Sequence, residues 1–218
     1  LGLVGAMGQS PYRGESIEGL PFPYIGFDSK YVYIKAPGVG VHAYTSDVFS
    51  VDAELFWMFQ QYKSKDNDDW DMRRLDNRYS TLGFAVNTSL NTSYGTIETS
   101  ATADLLGKNE GFIISLRYSY PLILSERFIL SPHVGINWTS TTFNNYYYGV
   151  SHRESAKSGI EAYRTEKSLT PYTGLSAIYI FTPKVKALIA GNYTFLPSEV
   201  KDSPMVDADD AWGVFAGL

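Results

Sequence analysis

The sequence predicts an all-β fold: a closed antiparallel transmembrane β-barrel of about 10–12 strands, with short connections at one rim and longer loops at the other. Three observations carry that prediction. Apolar and polar residues alternate in steps of two along most of the 218 residues. The alternating runs exceed the roughly five or six residues of an ordinary sandwich strand. The connections between them sort into a short and a long class. Step-two alternation is strand periodicity, because successive side chains point to opposite faces of a sheet. A run that long asks for a thick apolar slab against one face, which a bilayer supplies.

The runs follow in order. "PFPYIGFD" and "KYVYIKA" form a hairpin before "GVGVHAY" if the wall has about twelve strands, and stand outside it if the wall has about ten. In "VFSVDAELFWMF" the outward face is Phe49, Val51, Ala53, Leu55, Trp57 and Phe59, against Ser50, Asp52, Glu54, Phe56 and Met58. "STLGFAVNTSL" sets Leu82, Phe84, Val86 and Leu90 against Thr81, Gly83, Ala85, Asn87 and Ser89. "TIETSATADLL" sets Ile97, Ala101, Ala103 and Leu105 against Glu98, Ser100, Thr102 and Asp104, and "GFIISLRYSY" sets Phe112, Ile114, Leu116, Tyr118 and Tyr120 against Ile113, Ser115, Arg117 and Ser119. The longest run begins at Phe128 and is expected to pass through Trp138, leave the lipid and protrude as far as Val150. Runs over 169–181 and 184–196 follow, then "AWGVFAGL". Short links at 45–47, 91–93, 124–127 and 182–184 alternate with long polar ones at 63–78, 151–167 and 197–210, and residues 107–110 are short where a long loop is due. A soluble sandwich or lipocalin-like barrel would show the same alternation without a reason to sort its loops.

Composition agrees. No window approaches the roughly twenty consecutive apolar residues a spanning helix needs. Mean hydropathy is slightly negative at -0.16, while 17 Tyr, 12 Phe, 4 Trp and 19 Gly fit a lipid-facing wall around a wet lumen. The absence of cysteine excludes disulfides and thiolate metal sites. A net charge of -5 opposes a nucleic-acid partner. Nothing marks a seam, so residues 1–218 read as one barrel domain. The chain opens on "LGLVGAMG" without a basic leader or cleavage site, as expected of a chain whose leader has been removed or was never present.

The inner-phase charges are Asp52, Glu54, Glu98, Asp104, Arg117, Arg127, Lys184 and Lys186, joined by His42 and His133. Charges within a small barrel are normally paired, so the expectation is a salt-bridged lumen packed shut, with an ion or solute path as the alternative. Trp57, Phe59, Trp138, Tyr146, Tyr147 and Tyr148 fall where an interfacial aromatic girdle is needed. Ser151, His152 and Glu154 are the one local grouping of nucleophile, base and carboxylate, and read as an ordinary solvated loop rather than a lipid-modifying site. The acidic stretches at 66–69 and 207–210 lack EF-hand spacing and read as solvated loops. No catalytic residue, metal ligand or cofactor is expected.

"NNYYYGV" (144–150), "KDSPMVD" (201–207), "RYSYP" (117–121), "SPHVGINW" (131–138), "ADLLG" (103–107) and the final "FAGL" resemble, in order over essentially the whole chain, the MipA/OmpV family of Gram-negative outer-membrane proteins. The resemblance implies an integral outer-membrane barrel with short periplasmic turns and longer outer loops, in contact with outer-membrane lipid and lipopolysaccharide. It also implies a non-enzymatic scaffold linking a periplasmic murein transglycosylase to a murein synthase. Family members usually end on an aromatic residue, so a few residues are expected beyond Leu218.

Overall fold

The computed structural model describes every residue except Leu1, Ser16 and Lys184. Strands β1 (Gly2–Gln9), β2 (Ile17–Tyr24), β3 (Gly26–Asp28), β4 (Val32–Lys35), β5 (Gly38–Thr45), β6 (Phe49–Met58) and β7 (Thr81–Thr92) are followed by β8 (Gly95–Asp104), β9 (Phe112–Ser119), β10 (Leu122–Ser125), β11 (Phe128–Thr139), β12 (Ser168–Thr182), β13 (Val185–Phe195) and β14 (Asp210–Gly217). Together they form one antiparallel sheet of 14 strands, in which β14 returns to pair with β1, Val4 opposite Gly217. Two of the fourteen are continuations: β3 prolongs β2 beyond Ile25, and β10 prolongs β9 beyond Pro121. The wall therefore has twelve staves, the larger of the two expected counts, with the early hairpin in place.

β2 pairs with β1 and β3 pairs with β4, so the interrupted stave joins the two ends of the sheet into a nearly closed barrel. Among the described residues β2 has no strand on its second edge. Pro21 and Pro23 lie there on one phase, as prolines do on edge strands. β1 escapes sequence reading because glycine occupies Gly2, Gly5 and Gly8, which leaves the alternation faint.

Strand alternation is as read. Phe84, Val86, Ile97, Phe112, Ile114 and Leu116 are exposed on the outer face, where lipid would cover them. The short turns 46–48, 93–94 and 126–127 share one rim with the β12–β13 connection, and the long connections leave from the other.

The long connections are not solvated coils. After Thr139 the expected extended run gives way to α1 (Thr141–Tyr148), because Ser140 caps it by accepting the Phe143 N–H. α2 (His152–Ser158) is opened by a capping box of Ser151 and Glu154 and closed at Gly159, which takes the left-handed conformation at φ 83. α3 (Ser198–Lys201) and two single 3₁₀ turns, Ser64–Asp66 and Met72–Arg74, complete the set. The most deeply buried apolar residues of the molecule lie among these loops, not between strands. Tyr12, Tyr62, Met72, Leu75, Val150, Ile160 and Met205 form one cluster, and Met58, Phe143 and Tyr147 a second. Isolated bridges Tyr12–Val206, Tyr62–Arg78 and Val150–Tyr163 tie the segments together. Burying each large apolar side chain contributes roughly 1.5–3 kcal/mol, which offsets the entropy of ordering long loops. The outer mouth thus carries a folded cap.

Candidate functional site: a polar lumen beneath a folded cap

Register places the inner charges opposite one another. Glu98 and Arg117 are directly paired across β8 and β9, and their side chains approach to 3.5 Å. Asp52 and His42 are paired across β6 and β5 at 2.6 Å, with Asp28 at 3.2 Å from the other ring nitrogen. Glu54 accepts from the Tyr33 hydroxyl at 3.3 Å and from the Asn87 amide at 3.1 Å. His133, expected to be satisfied within the lumen, is satisfied at one nitrogen: Nε2 meets Asn192 Oδ1 at 2.7 Å, while the buried Nδ1 has no partner. Two inner tyrosines lie across inner glycines of the neighbouring strand: Tyr33 over Gly40 and Tyr172 over Gly135, where a Cβ would fall 2.3 Å from either ring. A methyl group at either glycine would expel the ring into the lumen.

The remaining charges do not join this network. Asp104 turns to the β8–β9 loop, where it accepts from Thr81 and from the backbone N–H groups of Leu106, Asn109 and Glu110. That set of donors explains how residues 107–110 close the rim without a long loop. Arg127 lies exposed in the turn before β11, and Lys186 is exposed opposite Ile180 near the same rim. Lys184 falls outside the described residues.

Two expectations need correction. The lumen is not packed shut by its ion pairs: the side chains of Glu98 and Arg117 remain 45% and 36% exposed. Twelve staves enclose more space than the roughly eight whose side chains just fill a barrel. The tightest enclosure on β7 lies at its cap end. Along β7 the inner face passes from Thr81 at 0% and Ala85 at 2%, beneath the cap, to half-buried Asn87 and Ser89 and exposed Asn91. The second correction concerns the tyrosines. Tyr146, Tyr147 and Tyr148 form no interfacial girdle, because they sit on α1 and turn into the cap. Tyr147 is fully buried, and burial pushes its hydroxyl up to about 12. Tyr148 packs on the larger cluster. Trp57 and Phe59 do stay on the outer face at the capped end of β6, and Trp138 is half-buried on β11.

Arg78 and Glu154 hold the cap. Arg78 Nη2 lies 2.8 Å from Glu154 Oε1, and both side chains are almost fully enclosed. The same Glu154 oxygen accepts the Asp76 N–H at 3.1 Å, while its partner oxygen accepts from the Ser151 backbone and hydroxyl. Arg78 also donates to the carbonyls of Asp76 and Gly149. Burial alone would raise the Glu154 carboxyl, but the Ser151 N–H and the Arg78 charge outweigh it and hold the carboxyl below its ordinary range. Ser151, His152 and Glu154 are therefore a helix start and a buried ion pair, not a triad. Sequence reading missed Arg78 altogether. The S-x-x-E pattern at 151–154 followed by Gly159 was a readable helix signal. The acidic stretches are likewise occupied: Asp69 faces Arg13 at 3.0 Å and Asp210 accepts from Tyr193.

A nearly closed barrel with an apolar outer face, a polar lumen, short turns at one rim and folded loops at the other defines an integral outer-membrane protein. The family model for MltA-interacting protein MipA matches residues 1–218, and the chain belongs to that family. A putative outer-membrane protein of Escherichia coli K12, YiaT, is 30% identical over 218 residues, covering 100% of this chain and 88% of its own. The MltA-interacting protein of the same strain is 32% identical over 199 residues, 91% of this chain and 80% of its own. Outer membrane protein OmpV of Vibrio cholerae is 28% identical over 145 residues, 66% of this chain and 56% of its own. Among solved structures, the outer membrane channel DcaP of Acinetobacter baumannii covers 87% of this chain and 52% of its own, at 12% identity and a TM-score of 0.36, too low to bear on the argument.

Proposed function

We propose that this barrel is a non-enzymatic outer-membrane anchor that presents its periplasmic rim to a murein-processing partner. The observation that carries the proposal is on β7, whose inner face passes from buried Thr81 and Ala85 under the cap to exposed Asn91 at the turn rim. A lumen more enclosed beneath the cap than at the turn rim, as β7 has it, favours recognition on the periplasmic side over transport. The turn rim carries apolar side chains that such a partner could cover: Tyr31 is 66% exposed, Val48 56% and Tyr94 79%. One relative is named for interaction with MltA, which agrees with a murein transglycosylase as the partner. Outer-membrane lipid and lipopolysaccharide surround the wall, and a murein synthase is a further candidate for the rim.

The test is binding of a soluble murein transglycosylase to the barrel in nanodiscs. Saturable binding is expected, weakened by Tyr94→Asp and indifferent to substitutions in the cap. Equal binding by wild type and Tyr94→Asp combined with Tyr31→Asp would remove the rim from the reading. A narrow channel is the second reading, favoured by the half-exposed Glu98–Arg117 pair. It predicts steady single-channel current from the unaltered protein, shifted in selectivity by Glu98→Gln.

A further inference from the structure

The cap holds a cavity of its own, about 530 Å³, none of whose lining residues belongs to a barrel strand. That volume lies in the range of small-molecule pockets, roughly 300–1,000 Å³. Its walls include Tyr146 and Tyr163, and both rings are fixed by their hydroxyls. Tyr146 accepts the Tyr79 N–H at 2.8 Å, and Tyr163 donates to the Glu199 carbonyl at 3.1 Å.

The charge in the cavity is not balanced. Its carboxylate, Glu154, is committed to Arg78 and to backbone donors. Arg78 is only 7% exposed, and its buried Nε has no hydrogen-bond partner. Arg164 and His152 line its edge, both of them exposed, and among the described residues neither side chain makes a hydrogen bond or ion pair with the protein. One enclosed guanidinium with an unpartnered Nε and one exposed, unpaired guanidinium thus line a cavity whose single carboxylate is already committed, in a chain whose net charge is -5. A donor-rich, cationic cavity with rigid aromatic walls is complementary to an acceptor-bearing anion on a ring-sized body.

We propose that this cavity is a binding site, on the outer side of the membrane, for a small organic anion: a carboxylate or phosphate ester carried on a sugar-sized ring. Arg164 supplies the fork for the anionic group, His152 a further donor, and the tyrosine rings the walls for its body. The site is independent of the periplasmic rim. A sugar phosphate of this kind exists both as a free solute and in the headgroup region of lipopolysaccharide.

The experiment is calorimetric titration of the detergent-solubilised, lipopolysaccharide-free barrel with glucose 1-phosphate and glucuronate, using methyl glucoside and inorganic phosphate as controls. One or both anionic sugars should bind saturably, and the controls at least tenfold more weakly. Arg164→Gln should lower that affinity roughly tenfold or more, the loss expected for one charge-assisted hydrogen bond. Arg127→Gln, at the opposite rim, should leave it unchanged. Absence of saturable binding, binding by inorganic phosphate as tight as by the sugars, or an undiminished Arg164→Gln affinity would each overturn the proposal. Addition of lipopolysaccharide separates the sources: displacement of the bound probe marks the headgroup, and retention marks a free solute.

Discussion

Replacing Glu154 by Ala removes the carboxylate that faces Arg78 inside the cap. The guanidinium then remains buried without its charge partner, a change that typically costs about 3–5 kcal/mol. Loss of the capping box adds roughly 1 kcal/mol at the start of α2. Neither Arg78 nor Glu154 belongs to a barrel ladder, so the cost falls on cap closure and not on the wall. Together these come to about 4–6 kcal/mol, and at about 1.4 kcal/mol per factor of ten the open population of the cap should rise by a factor of roughly 10³ to 10⁴. Hydrogen exchange in detergent reads this directly: the amides of residues 63–78 and 151–167 should lose protection in Glu154→Ala, while those of β7, β8 and β11 keep theirs. Glu154→Gln, which retains an acceptor but not the charge, should fall between. Unchanged protection in the cap, or equal loss in cap and wall, would refute the reasoning. The first would mean the ion pair does not hold the loops, and the second that the cap is not separable from the barrel.

Acid should loosen the cap in the same way. The folded-state Glu154 carboxyl lies below its ordinary value, so its stabilisation is present above the ordinary glutamate range and is lost as pH falls through the folded value. Asp76, lowered by its Lys157 contact and by Arg153, changes in the same sense, with a smaller contribution because the pairs are exposed. Exchange of the 151–167 amides followed from neutral to acid pH should show protection lost only on the acid side. Tyr147→Ala empties a fully buried site and should cost the cap about 3–5 kcal/mol, whereas Trp57→Ala, on the outer face, should leave cap exchange unaltered. Gly111→Ala sets a methyl group 2.8 Å from the backbone N and Cα of Phe143, so it should unseat α1. Fluorescence of the cap tyrosines, with barrel integrity checked by heat-modifiable gel mobility, measures that displacement.

The wall was legible because the bilayer enforces one rule on every stave: apolar out, polar or small in. The twelfth stave was not, since Gly2, Gly5 and Gly8 in β1 present no side chains to alternate. The lumen pairs were half-legible. Glu98 and Arg117 could be assigned to the inner phase, but their pairing needed the register between β8 and β9. Asp104 was misread because phase alone does not tell a carboxylate that faces the lumen from one that turns back to cap its own loop. The tyrosine run was misread for a related reason. Strand periodicity persists into "TTFNNYYY", yet beyond the hydrocarbon nothing requires extended backbone, and a Ser cap with Phe143 and Tyr147 on one side makes a helix the better way to bury rings. Arg78 gave no sequence signal, since a lone Arg in a polar loop becomes an anchor only where Glu154 is brought to it from a distant loop.

In a soluble barrel the densest apolar packing would fill the inside and hold the strands together. Here the strands give their apolar faces to the surroundings, and the most buried apolar residues, Tyr62, Tyr147, Met72 and Met205, lie in loops beyond the membrane. The molecule thus has two sources of stability that share few residues. The wall rests on its ladder and on lipid, while the cap rests on a small aromatic and methionine core locked by one buried ion pair. Damage to the first should destroy the barrel. Damage to the second should leave the barrel folded with its outer mouth unsealed. Planar-bilayer recording distinguishes the two: Glu154→Ala or Tyr147→Ala should turn a barrel of low conductance into a conducting one, with Glu98→Gln then altering its ion preference. If these cap variants remain as resistive as the unaltered protein while their loops are shown to be open, the obstruction lies among the lumen side chains, and the seal assigned to the cap must be moved there.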